Sequence, residues 1–293
     1  MSSFKNLAGR TAIVTGTSRG IGPHIARALA REGMRVVLAA RGRDELEQVA
    51  AEIAATGGAT LAVPTDVRNR TSLVALVAAA TRRFGEIDVL VNNAGGDPLR
   101  PFDEYAAADV DDVLGVNLSG PIELTRLLLP GMLERGRGHI VNISSLAGSM
   151  GFPFTEVYAA AKDGLVGFSR VLRADYRSRG VSSSALILGA VFGDGQGQRS
   201  MDELGISIPR MARAMASTPA TVADAVVQAI KRDRAIVVVM PGPGGVLKSL
   251  MDAFPELGPH MNDMGGATAL VKRLAALRAQ TPVSTPATEA SAA

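Results

Sequence analysis

Seven short apolar runs, separated by stretches whose apolar residues recur at helical spacing, constrain this chain more than any other feature. The runs are TAIVTG (11–16), RVVLAA (35–40), TLAVPTD (60–66), IDVLVNN (87–93), HIVNISS (139–145), SSALILG (183–189) and AIVVVM (235–240). Most are rich in Val, Ile and Leu without strict alternation, as strands buried on both faces should be. Between the first six lie IGPHIARALAREG, DELEQVAAEIAATG, TSLVALVAAATRRFG, a long segment over 109–134, and TEVYAAAKDGLVGFSRVLRADYRSRG. Each repeats apolar residues at the period of an amphipathic helix. Strand–helix alternation predicts an α/β fold. It should be a doubly wound parallel sheet of about seven strands, with helices on both faces and right-handed connections.

A single domain is expected over 1–240, then a helical extension over 241–279 and a low-complexity, disordered tail over 280–293. Residues 190–218 interrupt the alternation with glycines and Met- and Arg-containing helical pieces, the composition and length of a lid. At 293 residues and 47% apolar the chain can bury a large core, and with 4% aromatic residues that core must be aliphatic.

The chain has no cysteine, which excludes disulfides, thiolate metal sites and cysteine nucleophiles. His24, His139 and His260 are scattered, which argues against a histidine metal site or a Ser–His–Asp triad. The start, MSSFKNLAGR, lacks the apolar run of a signal peptide, and no run of 18 apolar residues occurs. A cytoplasmic protein without a membrane span is expected. The net charge of +3 is spread in short clusters such as Arg82-Arg83 and Lys231-Arg232. That pattern reads as a solvated surface rather than a nucleic-acid site, and it suits an anionic small ligand.

TGTSRGIG (15–22) follows the first apolar run and opens the first helix, the context in which a glycine pattern has meaning. Gly16 permits a tight turn, Gly20 lets backbone approach a pyrophosphate, and Gly22 allows close helix–strand packing. The backbone N–H groups around Ser18, Arg19, Gly20 and Ile21 then face phosphates at a helix N-terminus. A Rossmann-type dinucleotide site is the expectation. The second strand ends in Ala40 where an acid would take the ribose 2′-OH of NAD, and Arg41 follows. Arg19 and Arg41 without that carboxylate suit a 2′-phosphate, so NADP is expected in preference to NAD. The alternative is that both arginines are solvated and that Asp44 caps the next helix.

Tyr158 and Lys162, in YAAAK, lie four apart on one helical face. Alone they read as an ordinary amphipathic helix. Other pieces align with them: Asp66-Val67 at the end of the third strand, Asn92-Asn93-Ala94-Gly95 at the end of the fourth, Asn117 in GVNLSG, and Ser145 thirteen residues before Tyr158. Strand ends of this kind meet at the carboxyl edge of an open sheet, where such folds bind ligands.

This ordered set resembles the short-chain dehydrogenase/reductase family, well over about residues 8–190 and loosely beyond. The resemblance implies that Tyr158 is the general acid–base at a carbonyl or alcohol oxygen. It implies that Lys162 holds the nicotinamide ribose and lowers the tyrosine pKa, and that Ser145 bonds the substrate oxygen. Asn117 would hold a water that connects Lys162 to solvent. Asp66 and Val67 would contact adenine, and Asn93, Ala94 and Gly95 would line the cofactor cleft. Gly189 and Val191 would flank the nicotinamide, although the proline usual after the sixth strand is absent from Leu188-Gly189-Ala190-Val191 and Gly193 stands where a threonine is common. A homodimer or homotetramer is implied as well.

The expected activity is NADP(H)-dependent hydride exchange with a carbonyl or secondary alcohol of a lipophilic substrate. A 3-oxoacyl-thioester ketoreductase is the alternative, although the terminal glycine pair of the acyl-carrier-protein type is not evident. A dinucleotide-sensing regulator would tend to lose Ser145, Tyr158 and Lys162, and all three are present. Met251, Phe254, Met261 and Met264 make the extension either a cover on the core, a subunit contact, or a lipophilic entrance touching a membrane surface.

Overall fold

The computed structural model describes residues 4–193, 216–264 and 266–280. The lid expected over 190–218 and the tail over 280–293 therefore fall largely outside the described residues. Strands β1 (Thr11–Thr15), β2 (Arg35–Ala40), β3 (Thr60–Pro64), β4 (Val89–Asn92), β5 (Gly138–Ser145), β6 (Val181–Leu188) and β7 (Ile236–Val239) form one parallel sheet. Its order is β3-β2-β1-β4-β5-β6-β7. The order reverses between β1 and β4, which creates the crevice where open sheets of this kind bind ligands. Each apolar run of the sequence is a strand, displaced by one or two residues at its ends.

Both faces of the sheet are covered, which explains the runs without strict alternation. In β1, Ala12 and Val14 pack to one side and Ile13 to the other; in β2, Val36 and Leu38 oppose Val37 and Ala39. One side is closed by α1 (Ile21–Arg31), α2 (Arg43–Ala55) and, after the undescribed segment, α8 (Pro219–Lys231). The other is closed by α3 (Arg70–Phe84), α5 (Gly120–Glu134) and α7 (Glu156–Tyr176). The long helical segment expected over 109–134 is instead α4 (Ala107–Leu114), a π-helical turn over Gly115–Ser119, and α5.

The extension forms α9 (Gly244–Ala253), α10 (Leu257–Met264) and α11 (Ala267–Gln280). It covers the core in part. Met251 packs with Leu146, Val166, Ala185 and Ile187 in a third apolar cluster beside α7. Val246, Leu250 and Phe254 stay exposed, as does Met264. No helix among the described residues is long and apolar enough to cross a membrane.

At the opposite, amino edge of the sheet Asp88 is structural. It accepts the Thr11 N–H at 3.1 Å and an Arg137 guanidinium bond at 2.7 Å. His139 is a core residue rather than a ligand. Its Nε2 lies 2.8 Å from Ser184 Oγ, whose single proton goes to the Arg234 carbonyl at 2.5 Å. Nε2 must therefore be the donor.

Burial pushes the His139 pKa down to about 4. A folded-state value below the unfolded one stabilises the fold above pH 6.5, and that stability is lost as pH falls toward 4. The loss reaches about 2 kcal/mol at pH 5, at 1.4 kcal/mol per unit. Urea midpoints between pH 7 and 5 should show it in the wild type. His139→Gln, which keeps a donor for Ser184 but does not titrate, should be flatter over the same range.

Candidate active site

The first βα turn is shaped by contacts that leave no room for side chains. Gly16 has φ +71, and a Cβ there would sit 2.8 Å from the Ala94 Cα. A Cβ on Gly22 would lie 2.0 Å from the Gly16 carbonyl oxygen. Asn93 holds the turn from the neighbouring strand: its Nδ2 donates to the Thr15 and Gly16 carbonyls at 2.9 and 3.2 Å. Thr15 Oγ1 in return accepts the N–H groups of Asn93 and Ala94, both at 3.0 Å. The Thr15 contribution has no signature in the sequence, since a threonine ending a strand is unremarkable there.

A cleft of about 640 Å³ opens at this turn. Gly16, Ser18, Arg19, Gly20 and Ile21 line it from the loop, and Arg41, Asp66 and Val67 from the ends of β2 and β3. Asn93, Ala94 and Gly95 line it from β4. Gly22 is buried behind the loop. Gly189 and Val191 lie away from this cleft at the end of β6, where Gly189 donates to the Val239 carbonyl at 3.0 Å and Val191 bridges to Ser217.

The Asp66 carboxylate faces Arg68, which holds its pKa below the usual value. Arg68 Nη2 donates to Asp66 Oδ2 at 2.7 Å and Nη1 to Asp112 Oδ1 at 2.7 Å. That ion pair between near neighbours went unread in the sequence. The cleft is wide enough for a dinucleotide, two guanidiniums stand at its rim, and backbone rather than side chain faces its floor. These residues fit an NADP molecule. Glu45, in the first turn of α2, shares the lining.

β5 and α7 bring the acid–base candidates to the same edge. Three hydrogen bonds tie helix to strand. Asn142 Nδ2 donates to Ser169 Oγ at 2.8 Å, Ser144 Oγ to the Lys162 carbonyl at 2.8 Å, and Lys162 Nζ to the Ile143 carbonyl at 3.0 Å. Tyr158 and Lys162 share one face of α7, with Nζ 5.5 Å from the ring centroid. Ser145 is close enough to Tyr158 to pull the phenol's pKa down. Its Oγ also accepts the Ala147 N–H at 3.2 Å.

Asn117 lies in the π-helical turn, fully buried. Its Nδ2 donates to the Gly96 and Val113 carbonyls at 2.8 and 2.9 Å, and its Oδ1 accepts the Gly96 N–H at 3.2 Å. A Cβ on Gly95 would lie 2.7 Å from Asn117 Oδ1 and 3.0 Å from Lys162 Nζ. Gly95 thus joins the cleft to the catalytic candidates, and Asn117 braces the loop that carries it. Such single π turns recur at functional sites.

One expectation needs correction. Burial outweighs the expected pull of Lys162 on the tyrosine. Burial pushes Tyr158 up to about 12, the Asp97 charge adds to that, and Ser145 opposes it. Burial also lowers Lys162 to about 8, and its ammonium is turned to the Ile143 carbonyl. Holding a buried lysine in this way costs on the order of 3 kcal/mol at neutral pH.

The short chain dehydrogenase family model matches residues 10–203. The chain is 42% identical over 258 residues to the ketoacyl reductase HetN of Nostoc sp., spanning 88% of each protein. It is 39% identical over 189 residues to a 3-oxoacyl-[acyl-carrier-protein] reductase of Synechocystis sp., covering 64% of this chain and 76% of that one. Among solved structures, a variant of actinorhodin polyketide ketoreductase with NADPH matches with a TM-score of 0.72 at 33% identity. A metagenomic short-chain oxidoreductase in complex with NADP matches with a TM-score of 0.67 at 34% identity. Each alignment covers 80% of this chain and 97% of the other. With a sheet in the order β3-β2-β1-β4-β5-β6-β7, a glycine turn at its crevice and these relatives, the chain belongs to the short chain dehydrogenase family.

Proposed function

We propose that the protein reduces a carbonyl on a lipophilic substrate with NADPH, and that Tyr158 supplies the proton. The observation that carries this reading is the grouping of Ser145 and Lys162 around Tyr158, with Lys162 against Gly95, which lines the glycine-turn cleft. NADPH supplies the hydride when bound. Gly20 and its neighbours would carry the pyrophosphate on backbone N–H groups, and Arg19 and Arg41 the 2′-phosphate. Ser145 would donate a hydrogen bond to the carbonyl oxygen as negative charge grows there. With its pKa pushed up to about 12, the Tyr158 phenol is protonated at neutral pH and stands ready as the acid. Lys162, buried next to that ring, would hold the ribose hydroxyls and stabilise the phenolate left behind.

Within that class a 3-oxoacyl thioester is the favoured substrate. Support comes from the ketoacyl reductase relatives and from the polyketide ketoreductase neighbour. Other lipophilic ketones are the competing arm of a substrate panel.

The cofactor assignment has its own test. Arg19 and Arg41 are exposed at the cleft, so replacing either with alanine should leave the fold intact. A charge-assisted hydrogen bond is worth about 1.5–3 kcal/mol, so each change should raise the KM for NADPH by roughly tenfold to a hundredfold. The KM for NADH should stay within about twofold, since NADH lacks the phosphate. A wild-type enzyme with a lower KM for NADH would overturn the assignment.

A further inference from the structure

The chain between Ser145 and Tyr158 forms α6 (Ala147–Met150), a single turn of four residues. A helix this short does not hold itself. Two backbone bonds close it: Met150 N–H to the Leu146 carbonyl at 2.8 Å and Gly151 N–H to the Ala147 carbonyl at 3.0 Å. Yet its first N–H, from Ala147, is bonded to Ser145 Oγ. The direction of the Ser145 hydroxyl therefore depends on where α6 lies.

α6 packs on α7, and the C-terminal extension, about a hundred residues further along the chain, ties it down with hydrogen bonds. Asn262, on α10 and 2% exposed, donates Nδ2 to the Met150 carbonyl at 2.6 Å. Gly258 lets α10 approach so closely that a Cβ there would lie 2.4 Å from the Ser149 carbonyl oxygen. Pro259 packs on Gly151, the left-handed residue that ends α6. From α9, Asp252 accepts the Ser149 hydroxyl at 2.8 Å, and Lys248 donates to the same oxygen at 3.1 Å. None of these residues touches the cofactor cleft. All of them converge on the one turn that bonds the Ser145 hydroxyl.

We infer that Asn262 is a positioning residue for the reaction: through α6 it aims the Ser145 hydroxyl at the substrate oxygen, with the Lys248–Asp252 pair in support. The inference rests on Ser145 as the group that bonds that oxygen. Catalytic groups misplaced by about 1 Å lose up to a hundredfold in rate, so a loosened α6 should be felt in kcat rather than in cofactor binding.

The test is a double-mutant cycle in the full chain, read by single-turnover NADPH oxidation with a carbonyl that the wild type reduces. Asn262→Ala should lower the rate about tenfold and leave the NADPH Kd within twofold. In a Ser145→Ala background the same change should have almost no further effect, because residues that act as a unit are not additive. A purely structural role would lower Tm and multiply the two losses. Lys248→Ala with Asp252→Ala breaks the exposed half of the clamp without leaving a buried amide unsatisfied. It should cost about threefold, again only when Ser145 is present.

Losses that multiply in the Ser145→Ala background would overturn the inference, as would an unchanged rate in Asn262→Ala. If Ser145→Ala itself retains the wild-type rate, the reading of the site fails, and this role falls with it. If Ser145→Ala is inactive while the α6 clamp variants are silent, only the inference fails.

Discussion

Tyr158→Phe will bind NADPH as the wild type does and reduce its carbonyl substrate about a thousandfold more slowly. The change removes one oxygen and keeps the ring, which is half-buried with Lys162 Nζ 5.5 Å from its centroid. Packing of α7 on β5 runs through Asn142, Ser144 and Ile143 and does not involve the phenol. The loss therefore falls on proton transfer, for which positioned acids contribute roughly 10²–10⁴-fold. Fluorescence titration reads the cofactor, and single-turnover NADPH oxidation reads the chemistry. Retained turnover would remove Tyr158 from the mechanism. Lost NADPH binding would mean that the ring supports the cleft instead.

The second large effect is expected at Gly22. Gly22→Ala should weaken NADPH binding by about tenfold to a hundredfold and lower stability. The new Cβ would lie 2.0 Å from the Gly16 carbonyl oxygen, 2.7 Å from the Gly16 carbonyl carbon and 2.9 Å from the Thr17 Cα. All three are backbone atoms, so no rotamer relieves the contact. Either α1 or the turn must move. Gly16 cannot retreat, because Ala94 and Asn93 crowd its other side. Overpacking of this kind costs about 1–3 kcal/mol, and each 1.4 kcal/mol is a decade in affinity. Gly245→Ala is the control, since nothing lies within 4 Å of its Cβ position. Isothermal titration with NADPH and urea unfolding separate the two components. Wild-type affinity in Gly22→Ala would show that phosphate recognition lies elsewhere.

The sheet was legible because its strands are buried on both faces, so that β1, β2 and β4 read as unbroken Val, Ile and Leu runs. The glycine turn was legible because steric exclusion leaves glycine as the residue at Gly16 and Gly22. Ser145, Tyr158 and Lys162 stood out only as part of the ordered set that resembles the family; the structure puts one at a strand end and two on one helical face. Asn117 was placed in a helix, and its π turn was missed: one extra residue in a turn leaves no mark on the apolar period of GVNLSG.

Burial at the site was not legible, for a different reason. The expected effect of Lys162 on Tyr158 treats both as solvated charges, whereas burial dominates at each. The extension showed its amphipathic pattern in sequence, but its grip on α6 did not, because contacts between Met150 and Asn262 span 112 residues. Such pairing is set by the packed fold and by no local signal.

The most direct test of the account follows deuterium from NADPH labelled at both nicotinamide C4 positions, offered with a 3-oxoacyl thioester and with lipophilic ketones. One deuterium per molecule should appear on the new carbinol carbon of at least one product, with one NADP formed for each alcohol and both formed about a thousandfold more slowly in Tyr158→Phe. NADPH consumption without a deuterated alcohol, or no transfer to any carbonyl by a protein that binds NADPH, would contradict it.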